Sequence, residues 1–372
     1  MLLIRILSFV TQNFLFVLAG LAGIGFLIGF HELGHFLFCK LFNIRTPSFS
    51  IGFGPRIFTK KIGETEFALS AIPLGGYVEI AGSSEMGQGE QKDAHANDAR
   101  SFAKKPYYQK LLVMLGGILF NFLFAYFALI LLCMIGIPKP TPTIKTIMSD
   151  SAAQKYHLEA GDRITAVNGQ AIEENLEKVL SVVEAYPHQE ITLTIDRAGQ
   201  EITLPITLDS KKDLKGKEVG ALGVKFLMQG TPGTSFFEAI KQGIEMANSY
   251  IINTIVGFKN IFSKHGVNAV QGPVAIISMI IESISQSFAL YLLLLAIISI
   301  NLAVLNLIPL PILDGGQILH YTIEALIGRP VPIKIREYIH IASWLLVLAL
   351  VLYLSANDIY QMAKPFISKL SK

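Results

Sequence analysis

Long apolar stretches alternate with polar segments along this chain. Runs without Asp, Glu, Lys or Arg extend over 6–31, 111–138 and 283–313, with a shorter run over 341–357. A helix of about 20 apolar residues can cross a bilayer. The pattern therefore predicts four transmembrane helices, over 10–38, 109–136, 287–309 and 339–356. The first run is too long for the apolar core of a signal peptide, about 7–15 residues, so we expect it to be retained.

The segments between the apolar runs predict strands and a separate domain. Residues 46–80 alternate apolar and polar side chains between glycines, which is typical of two or three β-strands. Residues 83–100 are polar and favour a linker. Residues 141–228 have a soluble composition, and the pattern Ala-Gly-Asp-x-Ile-x-x-Val-Asn-Gly at 160–169 resembles PDZ modules, which bind peptide ends by strand addition. A generic small α+β domain is the alternative.

Apolar side chains over 234–264 recur near helical spacing, interrupted by charged residues. This favours an amphipathic helix, lying either on the membrane surface or against the α+β domain.

The predicted fold class is a polytopic α-helical membrane protein with four transmembrane helices, a membrane-associated β-hairpin or sheet and one inserted α+β PDZ domain. We place the boundaries at 1–42 (first transmembrane helix), 43–105 (cytoplasmic β-hairpin region and linker), 106–138 (second transmembrane helix), 139–230 (PDZ domain), 231–285 (amphipathic helices), 286–316 (third transmembrane helix), 317–338 (cytoplasmic loop) and 339–372 (fourth transmembrane helix and C-terminus).

Composition supports a lipid environment. Of the 372 residues, 52% are hydrophobic and only 16% are charged, and the mean hydropathy is +0.50. Soluble domains carry about 25% charged residues. The formal net charge of +3 gives no reason to expect a nucleic-acid partner. The two cysteines, Cys39 and Cys133, lie in or beside apolar runs, and we expect them to be buried rather than to form a disulfide framework.

Basic residues predict the orientation in the bilayer. The segments after the first and before the fourth predicted helix are rich in Lys and Arg, which favours the cytoplasmic side. The termini and the region 138–285 would then lie outside the cytoplasm.

The first apolar run ends in the motif His-Glu-x-x-His, formed by His31, Glu32 and His35. Residues four apart share one face of a helix, so both imidazoles can bind one zinc ion. Glu32 is then positioned to take a proton from a water on that ion. Ionisable groups within a membrane helix are costly and usually functional. The alternative is a polar cluster that pairs helices or reaches the headgroups.

A third ligand is needed, because catalytic zinc sites have three protein ligands and one open position. Asp314 ends the uncharged run 283–313, at a depth similar to that of the two histidines. Prolines and glycines around it break the helix, which is tolerated at membrane depth only beside protein or a cavity. We expect Asn306, Pro309 and Pro311 to contribute to substrate binding, although Asn306 could instead make a contact between helices.

The chain resembles the site-two protease family, and within it the bacterial RseP-type and RasP-type proteases. The resemblance rests on the His31–His35 motif, on the motif from Asn306 to Gly316, and on the segments 49–55, 72–78, 116–121 and 271–274. It implies zinc on His31, His35 and Asp314 and a basic role for Glu32. It also implies cleavage of single-span membrane proteins, such as anti-sigma factors and signal-peptide remnants, after an earlier external cut. The chain has room for one PDZ domain where some members carry two.

The resemblance further implies a bacterial inner membrane location, an extracytoplasmic PDZ domain that binds peptide ends, and an active site near the cytoplasmic side. A strand of the 46–80 region, around Phe67 to Ala71, is expected to pair with an extended substrate. Two other functions remain open at this point: a scaffold with a structural metal, or a metal-handling membrane protein. A structural zinc site usually has four ligands, and only three are found.

Overall fold

The computed structural model describes residues 14–83, 93, 96, 98–173, 175–212, 217–261 and 271–370. The chain divides into two compact units. Of the described residues, the first comprises those within 14–134, 235–257 and 271–363, and the second comprises those within 135–234, 258–261 and 364–370. Most of the predicted linker, 83–100, lies outside the described residues.

The elements are numbered in chain order. The helices are α1 (Phe14–Leu41), α2 (Tyr107–Ile135), α3 (Ala152–Lys155), α4 (Leu176–Ala185), α5 (Phe236–Ile261), α6 (Pro273–Gln286), α7 (Phe288–Asn306), α8 (Asp314–Ile327) and α9 (Ile333–Leu370). The strands are β1 (Ser48–Ile62), β2 (Thr65–Val78), β3 (Pro138–Ile147), β4 (Arg163–Val167), β5 (Gln170–Ala171), β6 (Glu190–Arg197), β7 (Gln200–Thr207), β8 (Asp209–Lys212), β9 (Glu218–Ala221) and β10 (Val224–Gly230).

Four of the described helices are long and apolar enough to cross a membrane: α1, α2, α7 and, over Lys334–Tyr360, α9. They match the four predicted spans. Small residues let α1 pack closely on its neighbours, since a Cβ on Gly20 would lie 2.9 Å from the side chain of Ile280 in α6. A Cβ on Gly23 would meet the hydroxyl of Tyr291 in α7. Cys39 and Cys133 are both buried, as expected.

The helix break near Asp314 differs from the sequence expectation. The prolines lie in the irregular segment between α7 and α8, but both glycines belong to the first turn of α8. A Cβ on Gly316 would lie 2.0 Å from the carbonyl oxygen of Leu310, so glycine is required for the chain to fold back on itself here. The segment 317–338, expected as a loop, is largely helical, because α8 continues to Ile327 and α9 begins at Ile333.

Strands β1 and β2 form an antiparallel hairpin beside α1. Ile62 lies opposite Thr65 at its turn, and the residues Ser48–Ile51 pair on two sides, with Glu66–Leu69 and with Gly76–Val78. The side chain of Ile51 contacts α1, where a Cβ on Gly29 would lie 3.0 Å from it. The region 46–80 therefore contains two strands. They lie alongside α1, close to its His-Glu-x-x-His motif.

Helix α5 groups with the apolar helices over 235–257 rather than with the second unit. The hydroxyl of Tyr126 in α2 donates to Oδ1 of Asn248 at 2.6 Å, and the hydroxyl of Thr254 donates to Oδ1 of Asn301 in α7 at 2.9 Å. A Cβ on Gly243 would lie 2.6 Å from the side chain of Ile130. These contacts favour packing of the predicted amphipathic helix against the bundle.

The second unit contains both strands and helices and is an α+β fold. Its main sheet has the order β10-β3-β4-β6-β7, with β5 paired to β4, and all pairs are antiparallel. Helix α4 contributes Val179 and Val183 to the hydrophobic core under the sheet. Asp162 is buried and accepts two hydrogen bonds from Arg197, both of 2.7 Å. These bonds fix the backbone immediately before β4.

Candidate metal centre

Three metal-binding side chains converge where α1 meets the start of α8. The Nε2 atoms of His31 and His35 lie 3.1 Å apart. Asp314 places Oδ2 3.3 Å from Nε2 of His31 and Oδ1 3.5 Å from Nε2 of His35. Among the described residues, this is the one group of three that could hold a metal ion.

These distances fit a tetrahedral ion. Metal–ligand bonds of about 2.0–2.1 Å at tetrahedral angles separate neighbouring ligand atoms by about 3.3–3.4 Å. Two imidazoles and a carboxylate are also a common donor set for catalytic zinc. The buried Oδ2 atom of Asp314 has no hydrogen-bond partner within the described part of the chain. A cation between the three side chains would satisfy this otherwise costly carboxylate oxygen.

The surroundings of His35 select the tautomer that binds metal. Its Nδ1 atom lies 2.8 Å from the carbonyl oxygen of Val113 in α2. Because a carbonyl only accepts, Nδ1 carries the proton and the lone pair of Nε2 is left to face His31 and Asp314. Such a partner on the far ring nitrogen is a regular feature of metal-binding histidines.

Asn121 of α2 lies beside the Nδ1 atom of His31, as the carbonyl of Val113 lies beside that of His35. Its carboxamide is buried, with Nδ2 3.1 Å from Nδ1 of His31 and the Oδ1 atom without a partner among the described residues. With the amide turned so that Oδ1 faces the ring, Nδ1–H of His31 donates to it and Nε2 is free for metal. Ser299 of α7 fixes the backbone of Asn121 by donating to its carbonyl at 2.8 Å.

Glycines at the crossing of α1 and α2 make room for the centre. A Cβ on Gly34 would lie 2.2 Å from the carbonyl oxygen of Gly116. A Cβ on Gly117 would lie 2.4 Å from Nε2 of His35 and 2.5 Å from Cε1 of His31. A methyl group at position 117 would therefore occupy the space between the two imidazoles.

Glu32 lies next to the hairpin. A Cβ on Gly76 would lie 3.4 Å from Cγ of Glu32 and 2.9 Å from the carbonyl oxygen of Ser50. Glycine at this position therefore lets an edge of the sheet pass directly beside the carboxylate. The segment predicted to pair with substrate, Phe67 to Ala71, is instead largely enclosed, because Phe67, Ala68 and Leu69 pair with β1 on both sides.

The segment from Asn306 to Asp314 is held by short-range hydrogen bonds. The amide of Leu313 donates to the carbonyl of Leu310 at 2.8 Å. The buried side chain of Gln317 donates to the carbonyl of Pro311 at 3.2 Å. These bonds fix the start of α8 and with it the carboxylate of Asp314.

The three residues expected to bind substrate are not equally placed. Asn306 ends α7, is half-buried and makes no side-chain hydrogen bond in the described part of the chain. Pro309 and Pro311 line a cavity of about 150 Å³ between α8 and the start of α9.

Sequence reasoning missed Asn121, Gly117 and Gly76 as parts of the site. The only signal was their presence in the segments 116–121 and 72–78, which carried the family resemblance but no assigned role. Their contacts with α1 depend on how distant segments pack, which a single sequence does not specify.

Comparison with known proteins identifies the family of the chain. A family model described as Peptidase family M50 matches residues 19–350. A putative zinc metalloprotease of Fusobacterium nucleatum is 33% identical over 344 residues, covering 91% of this chain and 97% of the relative. The zinc metalloprotease RasP of Geobacillus kaustophilus is 28% identical over 408 residues, covering 90% of this chain and 95% of its own.

Among solved structures, the PDZ domain of an SdrC-like protein from Listeria monocytogenes matches 24% of this chain and 87% of its own, with 18% identity and a TM-score of 0.21. That similarity is too low to assign a fold.

The family match extends over most of the chain and includes both the histidine pair and Asp314. The relatives are zinc metalloproteases by name, and four apolar helices make this chain a multi-pass membrane protein. The chain therefore belongs to peptidase family M50, the site-2 protease family of zinc metalloproteases.

Proposed function

We propose that this zinc metalloprotease cleaves single-span membrane proteins within or near their transmembrane segments, in regulated intramembrane proteolysis. Anti-sigma factors and signal-peptide remnants are the proposed substrates. The observation that carries the proposal is the convergence of His31, His35 and Asp314 at ligand distances within a bundle of apolar helices. Ionisable groups at such a depth are usually functional.

The proposed ligands are His31, His35 and Asp314, with Glu32 as the general base. Zinc, when bound, lowers the pKa of a coordinated water to about 7 and polarises the scissile carbonyl. The Glu32 carboxylate accepts the proton that the attacking water loses and returns it to the nitrogen of the departing amine. The carbonyl of Val113 keeps His35 in the metal-binding tautomer, and the carboxamide of Asn121, turned so that Oδ1 faces the ring, does the same for His31.

The substrate is proposed to bind as an added strand along Gly76–Val78. The amide of Glu79 donates to the carbonyl of Ser48 at 2.8 Å, and Tyr77 lies opposite Ser50. Antiparallel pairs alternate between bonded and non-bonded residues, so the amides and carbonyls of Gly76 and Val78 point away from β1. An extended peptide can pair with them beside Glu32. Pairing also holds the peptide unwound, which cleavage of a helical segment requires.

Asn306, Pro309 and Pro311 are proposed to contribute to substrate binding. The carboxamide of Asn306 has both a donor and an acceptor available for a substrate backbone. The two prolines shape the irregular segment that precedes Asp314.

The second unit is proposed to be an extracytoplasmic PDZ module that captures peptide ends or restricts access to the centre. The catalytic centre is proposed to lie near the cytoplasmic side of a bacterial inner membrane, which the basic segments favour. Antiparallel strands around a buried core are compatible with such a module.

Substitution of Glu32 by Gln tests the mechanism. E32Q keeps the shape of the side chain but removes the base, so zinc content should equal that of the wild type while truncated single-span proteins accumulate in membranes, as measured by mass spectrometry. E245Q, at an exposed position of α5, is the matched control and should turn over substrates normally. Undiminished proteolysis by E32Q would refute the proposed base.

Backbone N-methylation of a peptide substrate tests strand addition. Because bonded and free amides alternate along a strand, methylation at every second residue should reduce cleavage, while methylation at the positions between should have little effect. If methylation at the two alternating sets of positions reduced cleavage equally, docking on Gly76–Val78 would be contradicted.

A further inference from the structure

A cavity separate from the metal ligands lies between α8 and the start of α9. Its volume is about 150 Å³, several times the space that one water needs. Polar side chains on its walls are Gln317, His320, Arg336 and His340. His320, Arg336 and His340 have no role in the proposed peptide hydrolysis, whereas Gln317 helps to fix the start of α8.

Arg336 provides an unsatisfied cation at this cavity. Its Nη2 atom is buried and has no hydrogen-bond partner within the described residues. A buried guanidinium nitrogen without an acceptor is costly. The guanidinium group is also the side chain best suited to bind phosphate or carboxylate oxygens in a planar, two-point arrangement.

The neighbouring groups leave room for an anion. His320 is near Arg336 and Lys110, and burial lowers the pKa of His320, with Arg336 and Lys110 lowering it further and Glu324 raising it. The imidazole is thus a neutral hydrogen-bonding group. Glu324 is the acid that faces this cluster, and its carboxylate accepts from the amide of Val331 at 3.0 Å while lying 3.2 Å from Nε2 of His320. Among the residues that line the cavity, Arg336 is the one with a fixed charge, so the cavity wall is positive.

The mouth of the cavity is apolar. Leu319, Ile323 and Ile339 line it and are exposed. A free phosphate gains nothing from such a rim, whereas the acyl chains of a lipid do, at about 0.8 kcal/mol for each buried CH₂. Basic pockets between membrane helices on the cytoplasmic side are suited to anionic headgroups.

We propose that this cavity binds the phosphate headgroup of an anionic phospholipid, with Arg336 as its main contact and Leu319, Ile323 and Ile339 against the chains. Pro309 and Pro311 line the same cavity, so the bound lipid contacts the irregular segment that precedes Asp314. The inference goes beyond peptide hydrolysis and does not depend on the identity of the substrate.

Native mass spectrometry of the purified full-length protein tests the proposal, with phosphatidylglycerol as the probe and phosphatidylcholine as the neutral reference. The wild type should retain phosphatidylglycerol in preference, and R336Q should bind it about tenfold more weakly, because a charge-assisted contact is lost. R329Q removes the same charge from an exposed position nearby and should bind as the wild type does. Equal binding by R336Q and R329Q would overturn the proposal.

A second pair of variants leaves Arg336 intact. L319E places a carboxylate at the mouth, while L326E places one on the same helix outside the cavity. L319E alone should weaken phosphatidylglycerol binding, and similar weakening by both would count against this cavity. Zinc content near one per chain shows that each variant is folded.

Competition with inorganic phosphate tests whether the bound anion is a lipid headgroup or free phosphate. Millimolar phosphate should fail to displace phosphatidylglycerol, because it lacks the chains that contact the rim. Displacement by an equal concentration of phosphate would refute the lipid assignment. Added phosphatidylglycerol should also raise the thermal unfolding temperature of the wild type and R329Q but not of R336Q, a readout that does not depend on proteolysis.

Discussion

The carboxamide of Asn121 lies 3.1 Å from Nδ1 of His31, while Nε2 of the same ring lies 3.3 Å from Asp314. One side of the imidazole is therefore held by α2 and the other faces the proposed metal. Removal of the amide leaves His31 free to adopt the wrong tautomer or to turn away, and loss of such a partner typically weakens metal affinity about 10–100-fold.

We accordingly expect N121A to lower zinc affinity about 10–100-fold in competition with a chromophoric chelator. N121D retains an acceptor for Nδ1–H and should restore most of that affinity. S299A removes only the hydrogen bond to the backbone carbonyl of Asn121 and serves as the control. Zinc binding by N121A equal to that of the wild type would show that the contact does not position His31.

Gly117 should tolerate no side chain. In G117A, the new methyl group would lie 2.4 Å from Nε2 of His35, so we expect loss of zinc and of proteolysis without loss of the folded bundle. G257A is the matched control, because nothing lies within 4 Å of a Cβ at that helical position. Replacing an exposed helical Gly by Ala stabilises by up to about 1 kcal/mol. A G117A protein with full zinc content would contradict the close approach of α1 and α2 at the centre.

Asp358 of α9 connects the fourth apolar helix to the start of α6. Its buried carboxylate accepts from the amide of Gly272 at 3.2 Å and from that of Ala275 at 2.9 Å. Loss of a capping side chain costs about 0.5–2 kcal/mol. D358A should therefore lower the free energy of unfolding by that amount, measured by thermal denaturation in detergent, whereas N357A should change it little. Equal stability of the two variants would show that the cap is dispensable.

The pair of Asp162 and Arg197 should make the second unit sensitive to acid. Burial opposes ionisation of Asp162, but the hydrogen bonds from Arg197 and from the amide of Glu159 outweigh it and lower its pKa below the usual value of 3.8. Since the folded pKa is the lower one, the stabilisation is complete above the unfolded pKa and is lost as the pH falls through the folded value. Limited proteolysis should therefore show the unit opening at acidic pH but not between neutral pH and pH 5.

Truncation of this pair should have a large effect at neutral pH. D162A removes the buried partner of the Arg197 guanidinium, and loss of hydrogen bonds to a charged group costs about 1.5–3 kcal/mol. E159A removes only an exposed contact with Arg197 and should cost at most about 1 kcal/mol. Equal protease resistance of the two variants would contradict the structural role of Asp162.

Much of the local structure could be predicted from the sequence because its causes are local. The four spans follow from uninterrupted apolar runs, since only a helix satisfies its own backbone in lipid. The pairing of His31 with His35 follows from helical geometry, in which residues four apart share a face. The soluble composition of 141–228 and the pattern at 160–169 likewise indicate a separate α+β domain from local features alone.

The sequence on its own therefore determined which segments are long and apolar enough to cross a membrane and which side chains are able to bind a metal. Only the tertiary structure decided which glycines make room for that centre, which edge of the hairpin passes Glu32, and that Asn121, 90 residues from His31, holds its ring. The reason is physical, because the periodicity of a sequence reflects contacts within one or two helical turns. The tautomer of a histidine and the enclosure of a strand depend instead on which distant segment of backbone packs against them. The Arg336 cavity is of the same kind, because α8 and α9 create it together.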